Sequence, residues 1–102
     1  MGGCAGSESF ALQVLGDSMA PEFKDGAIII VEPDGAIEDG SFVVANHADG
    51  VILRQLKIAG EKWRLVALNT AYPEISISGL TDIRGRVIQQ AGRRRKDRKS
   101  YI

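Results

Sequence analysis

The stretch Gly16-Asp17-Ser18-Met19-Ala20-Pro21 sets a serine in a polar turn just ahead of Asp25-Gly26 and the apolar run 27–31. A serine in such a turn could attack a carbonyl carbon if a neighbouring base removed its proton. Gly16 permits a sharp turn, and a helical turn after Ser18 would leave backbone N–H groups free to face a developing oxyanion. The plainer alternative is structural, with Asp17 or Ser18 capping the turn and Glu22 following as in a capping box.

A base for Ser18 must come from few groups. His47 is the only histidine, but it stands in Asn46-His47-Ala48-Asp49-Gly50, which reads as an exposed hairpin tip. Asp17 adjoins Ser18 and suits a turn, and Lys24 reads as a solvated charge. Lys57 lies three residues beyond Arg54, an odd step that places the two on opposite faces of a regular strand.

These residues are carried by short apolar bursts: 10–16, 27–33, 41–47, 51–58, 62–68, 74–77 and 83–90. Their length, their Val and Ile content and the glycine turns between them predict seven strands at about ten-residue spacing. Residues 27–32 are apolar on both faces, which predicts a central strand. Trp63, Leu65 and Ala67 alternate with Arg64, Val66 and Leu68, so that strand should be covered on both sides, with Trp63 in the core or at a subunit contact. Hairpins are expected between 42–47 and 51–58, and between the latter and 62–68. The one candidate helix is Met19–Phe23, a single turn opened by Pro21.

With 102 residues, the chain holds one small core. No apolar run approaches the roughly 20 residues of a spanning helix, so no membrane partner is expected. The start, Met1 to Phe10, lacks the features of a secretory leader, and the single Cys4 cannot form an internal disulfide; both point to a reducing cytoplasm. No metal-spaced set, P-loop or dinucleotide motif is present, so neither cofactor nor metal is expected. The formal net charge of zero conceals a split, since residues 1–91 hold 7 Lys/Arg against 12 Asp/Glu and residues 92–102 hold 6 against 1. The expected organisation is a loose segment 1–8, a folded domain 9–91 and a basic, disordered tail 92–102. In that tail Arg93, Arg94, Arg95, Lys96, Arg98 and Lys99 could contact nucleic acid phosphates.

Taken in order, Gly16-Asp17-Ser18-Met19 with Pro21, Asp25-Gly26, Val31-Glu32-Pro33, Glu38-Asp39-Gly40 before Phe42, the run Val51 to Lys57, Leu68 to Pro73 and Ile83 to Ile88 resemble the LexA-like serine peptidases. That family includes LexA-type and lambda-type phage repressors and UmuD-like proteins, with bacterial signal peptidases as distant relatives. The resemblance implies a compact, mostly β fold with at most one short helical turn. It implies a nucleophile at Ser18, with Met19 as its turn and oxyanion neighbour, and a neutral lysine as general base two residues before Leu56. Arg54 occupies that position. A guanidinium stays protonated and offers no lone pair, so Arg54 cannot act as that base.

The family's repressors cut their own chain at an Ala-Gly or Cys-Gly bond far upstream of the serine. Ala5-Gly6 has the letters but lies too close to Ser18 and reads as coincidence. In the turn-rich loop 68–73, Tyr72 is expected to pack its ring over the sheet and Asn69 to bind backbone, while Pro73 restricts the residue before it.

Two functions follow from the resemblance. One is a regulatory, repressor or SOS-type domain whose catalysis is impaired and which serves as a homodimerisation module, its DNA-binding domain lying upstream in a longer parent or in a partner. The other is an active serine endopeptidase, self-processing or acting on a partner, with an unidentified base.

Overall fold

The computed structural model describes residues 8–33, 36–47, 50–91 and 99–101. Among these residues, eight strands form one antiparallel sheet: β1 (Phe10–Gln13), β2 (Ile28–Glu32), β3 (Phe42–His47), β4 (Gly50–Ala59), β5 (Lys62–Val66), β6 (Ile75–Ile77), β7 (Ile83–Ala91) and β8 (Lys99–Ser100). The spatial order is β1-β2-β7-β3-β4-β5-β6, with β8 paired to β7. All seven expected strands are present, and both expected hairpins, β3–β4 and β4–β5, are formed.

The core is divided by β3. Val43 and Val44 are adjacent and both almost fully buried, so by the two-residue period of a strand they face opposite sides of the sheet. Val44 joins Val14, Met19, Phe23, Ile29, Val31, Ala67 and Val87 in one cluster. Val43 joins Ala45, Leu56 and Leu65 in the other, against which Trp63 packs. Trp63 and Leu65 of β5 serve the second cluster together as expected, whereas Ala67, read from the alternation as sharing their face, lies just past the end of β5 and joins the first cluster.

Three expectations change. First, β2 is flanked on both sides but stands next to the edge strand β1, and Ile28 is exposed. Second, Met19–Phe23 forms turns closed by Ala20 N–H to Asp17 O and Phe23 N–H to Met19 O, while the one 3-10 helix among the described residues lies at Leu80–Asp82. Pro21 removes a donor and the buried side chains of Met19 and Phe23 set the path, so tertiary packing decides the local form. Third, residues 99–101 are not a free tail. Tyr101 lies 5.3 Å from the Phe23 ring and 5.4 Å from that of Phe42, and its hydroxyl donates to Glu22 at 2.6 Å. Residues 1–7 and 92–98, which include Cys4, Ala5-Gly6 and the cations Arg93, Arg94, Arg95, Lys96 and Arg98, lie outside the described residues.

Candidate active site

Ser18 sits on a loop pinched off between β1 and β2. Beyond the last ladder pair, Val14 N–H donates to Ala27 O at 2.7 Å and Gly26 N–H donates to Val14 O at 2.6 Å, closing the neck. Gly16 N–H then donates to Asp25 Oδ1 at 2.7 Å. Gly16 and Gly26 have φ of 92° and 91°, the left-handed region where a side chain is strained, and so both turns of the neck require glycine. Met19 and Phe23, both fully buried, anchor the loop in the core.

A second loop fixes the serine's height. Asn69 N–H donates to Ser18 O at 2.9 Å, and the Asn69 side chain donates to Asp17 O at 3.3 Å while accepting from Ala71 N–H at 3.0 Å. Tyr72 completes the clasp by donating its hydroxyl to Asp17 Oδ1 at 2.7 Å. Its ring stands beside Arg54, with the guanidinium carbon 5.6 Å from the ring centroid, a distance at which a cation is attracted to the ring face. Bonding to the Asp17 carboxylate holds the Tyr72 phenol above its ordinary pKa.

Arg54 reaches Ser18 from β4. Its Nη1 donates to Ser18 Oγ at 2.9 Å and to Leu53 O at 2.8 Å. Arg54 Nε is buried without an acceptor among the described residues. Burial lowers the guanidinium's pKa and the nearby Tyr72 opposes that shift; the group nevertheless remains a cation at any working pH.

Both residues line a cleft of about 250 Å³ whose walls include Leu12, Val14, Leu15, Val51, Leu53 and Tyr72. The capping-box alternative is not realised, since Ser18 Oγ meets a guanidinium and the Glu22 carboxylate is taken by Tyr101 and Lys99. The remaining candidates stay away from the cleft. His47 is exposed at the end of β3 opposite Gly50, Lys57 pairs with Arg64 on β5, Lys24 is exposed, and Asp17 turns its carboxylate to Tyr72. Met19 buries its side chain, and its N–H has no acceptor among the described residues.

Sequence reasoning missed Tyr72 as a member of the site. A tyrosine 55 residues from its aspartate partner leaves no local pattern to read. Among the described residues no three His, Cys, Asp or Glu side chains gather as metal ligands, and no helix is long and apolar enough to cross a membrane.

The chain is similar to the HTH-type transcriptional regulators for conjugative elements R391 of Providencia rettgeri and SXT of Vibrio cholerae. Each is 44% identical over 89 residues, a match covering 80% of this chain and 41% of the regulator. It is also similar to the prophage repressor CohE of Escherichia coli (strain K12), 37% identical over 87 residues, covering 81% of this chain and 39% of the repressor. The chain thus spans about two fifths of the length of these relatives. Residues 3–88 match the Peptidase S24-like family, and with the ordered motifs and the strand framework around Ser18 the chain belongs to that family.

Proposed function

We propose that this chain is the S24-like domain of a regulatory repressor in which peptide cleavage is impaired and self-association is the retained task. The reading is carried by one contact, the 2.9 Å hydrogen bond from Arg54 Nη1 to Ser18 Oγ. A nucleophilic serine needs a partner that accepts its proton, and here the group at hydrogen-bond distance can only donate. Ser18 keeps the nucleophile position and Met19 its neighbouring N–H, while Arg54 stands at the base position. The site keeps the shape of a nucleophile turn without its proton acceptor.

The relatives are named as HTH-type regulators and a repressor, and they are longer than this chain. DNA contact is accordingly assigned to a further segment or a partner, and the domain's part is to join two copies as a homodimer in the cytoplasm. The cations of residues 93–99 give a weaker, salt-sensitive route to nucleic acid.

Two measurements test this. A fluorophosphonate probe should leave wild-type Ser18 unlabelled at neutral and alkaline pH; labelling lost in Ser18→Ala would restore the active-endopeptidase reading. Sedimentation velocity over micromolar concentrations should show a dimer, and a strict monomer would remove the association role.

A further inference from the structure

Among the described residues, Arg54 is a cation without an anion. Its Nη1 meets two neutral oxygens, Ser18 Oγ and Leu53 O, and its Nε is buried with no acceptor among the described residues. The ion pairs formed among the described residues are Arg64–Glu74, Arg86–Glu32 and Lys99–Glu22, none of which includes it. Asp17, beside Ser18, is already held by Tyr72. A partly buried guanidinium lacking a carboxylate carries a desolvation cost that an incoming anion would offset, and its planar fork matches a carboxylate's two oxygens.

The surroundings restrict what that anion can be attached to. Leu15 is 79% exposed and Val51 46% exposed at the cleft, with Leu12, Val14 and Leu53 alongside. An apolar wall around one cation selects an apolar chain bearing a single negative charge. The volume of about 250 Å³ falls below the roughly 300–1,000 Å³ of small-molecule pockets, and suits a chain end rather than a long segment. Ser18 contributes as well, because its oxygen accepts from Arg54 and its own proton is left to donate.

We propose that the cleft binds the free C-terminal carboxylate of an apolar peptide, with the carboxylate on Arg54 and Ser18 and the last side chains against Leu15, Val51 and Leu53. This rests on the reading that Ser18 does not attack. The serine and arginine together form a receptor for an acid where a peptidase would hold an amide.

The test uses the full chain and a fluorescein-labelled pentapeptide of alanine, valine and leucine, followed by fluorescence anisotropy. The free acid should bind roughly tenfold or more tighter than its C-terminal amide, the range expected for a hydrogen-bonded charge pair. Arg54→Gln should abolish that preference, and Leu15→Asp, at an exposed site that tolerates change, should weaken the acid by placing a like charge at the mouth. Equal binding of acid and amide overturns the proposal, as does an Arg54→Gln protein that still prefers the acid. Should that variant fail to fold, unchanged affinity in Leu15→Asp overturns it instead. An amidated peptide carrying an internal glutamate and binding as tightly as the free acid would overturn the chain-end assignment. Fluorophosphonate labelling is run on the same preparation: labelled wild-type Ser18 sinks the underlying reading, whereas no labelling together with no preference for the acid sinks this inference alone.

Discussion

Arg54 Nη1 donates to Ser18 Oγ across 36 residues of sequence, joining the middle of β4 to the loop between β1 and β2. The contact has the reach of a catalytic dyad and the opposite proton logic. Replacing the donor by a titratable amine isolates that difference. Arg54→Lys places an amine near the same hydroxyl, and burial lowers its pKa toward the range in which it is neutral. Ser18 should then displace fluoride from a fluorophosphonate, its proton passing to the amine. Labelling should increase as pH rises through the amine's pKa, because only the neutral form accepts. Mass spectrometry of the labelled chain reads the result, and a variant as inert as wild type at every pH would show that more than the base is missing.

Asn69 binds the serine loop by backbone and side chain together. Asn69→Ala removes the bonds to Asp17 O and from Ala71 N–H but keeps the backbone bond to Ser18 O. The loss should be about 0.5–1.5 kcal/mol, typical of exposed or half-exposed hydrogen bonds. Amide hydrogen exchange offers the sharper readout, since the Asn69 and Ala71 amides should exchange faster while those of β3 and β4 are unchanged. Uniform acceleration across the sheet would indicate a global rather than local effect.

The difference between what could and could not be read in advance follows contact range. Seven strands were legible because each is a short Val- and Ile-rich run closed by a glycine turn, a signal contained within ten residues. Ser18 and Arg54 were legible together only through the ordered family motifs, since no spacing rule relates positions 36 residues apart. Tyr72 was not, because its partners Asp17 and Arg54 come from two other segments. The strand β8 was hidden for another reason. Its residues close a run of cations, and the charge pattern of 93–99 masks a single aromatic, Tyr101, that packs against both Phe23 and Phe42.

Tyr101 ties this terminal strand to the serine loop. Its hydroxyl donates to Glu22 Oε2 at 2.6 Å and accepts from Gln90 Nε2 at 2.8 Å. Hydrogen bonding from Tyr101 is the main cause that holds the Glu22 carboxyl below its ordinary pKa, with Lys99 adding to it against an opposing effect of burial. A depressed carboxyl stabilises the fold above its unfolded pKa, and that contribution disappears as pH falls through the folded value. Tyr101→Phe keeps the ring and loses both bonds, so unfolding free energy at neutral pH should drop by about 1–2 kcal/mol. The variant should also lose less stability than wild type on acidification below the ordinary carboxylate range. Urea melts at several pH values test both, and parallel acid profiles would mean that Glu22 draws nothing from Tyr101.

Gly85 pairs with Val44 on β3, next to the residues through which β7 pairs with β2, and the close approach of Val31 and Glu32 leaves no room for a side chain. A Cβ there would lie 2.6 Å from Val31 Cγ1 and 3.0 Å from the Glu32 carbonyl oxygen. The first contact is with a buried core side chain and the second with backbone, so neither can swing aside. Gly85→Ala should cost about 1–3 kcal/mol by overpacking, seen as a lower urea midpoint with an unchanged slope. Adding Val31→Ala removes the closer contact but not the carbonyl contact. The double variant should therefore be less destabilised than the two single costs combined, because the Cβ and the deleted methyls compete for one space. Strict additivity would mean that β2 and β7 separate to admit the methyl group, and that their spacing is set by something other than the Val31 side chain.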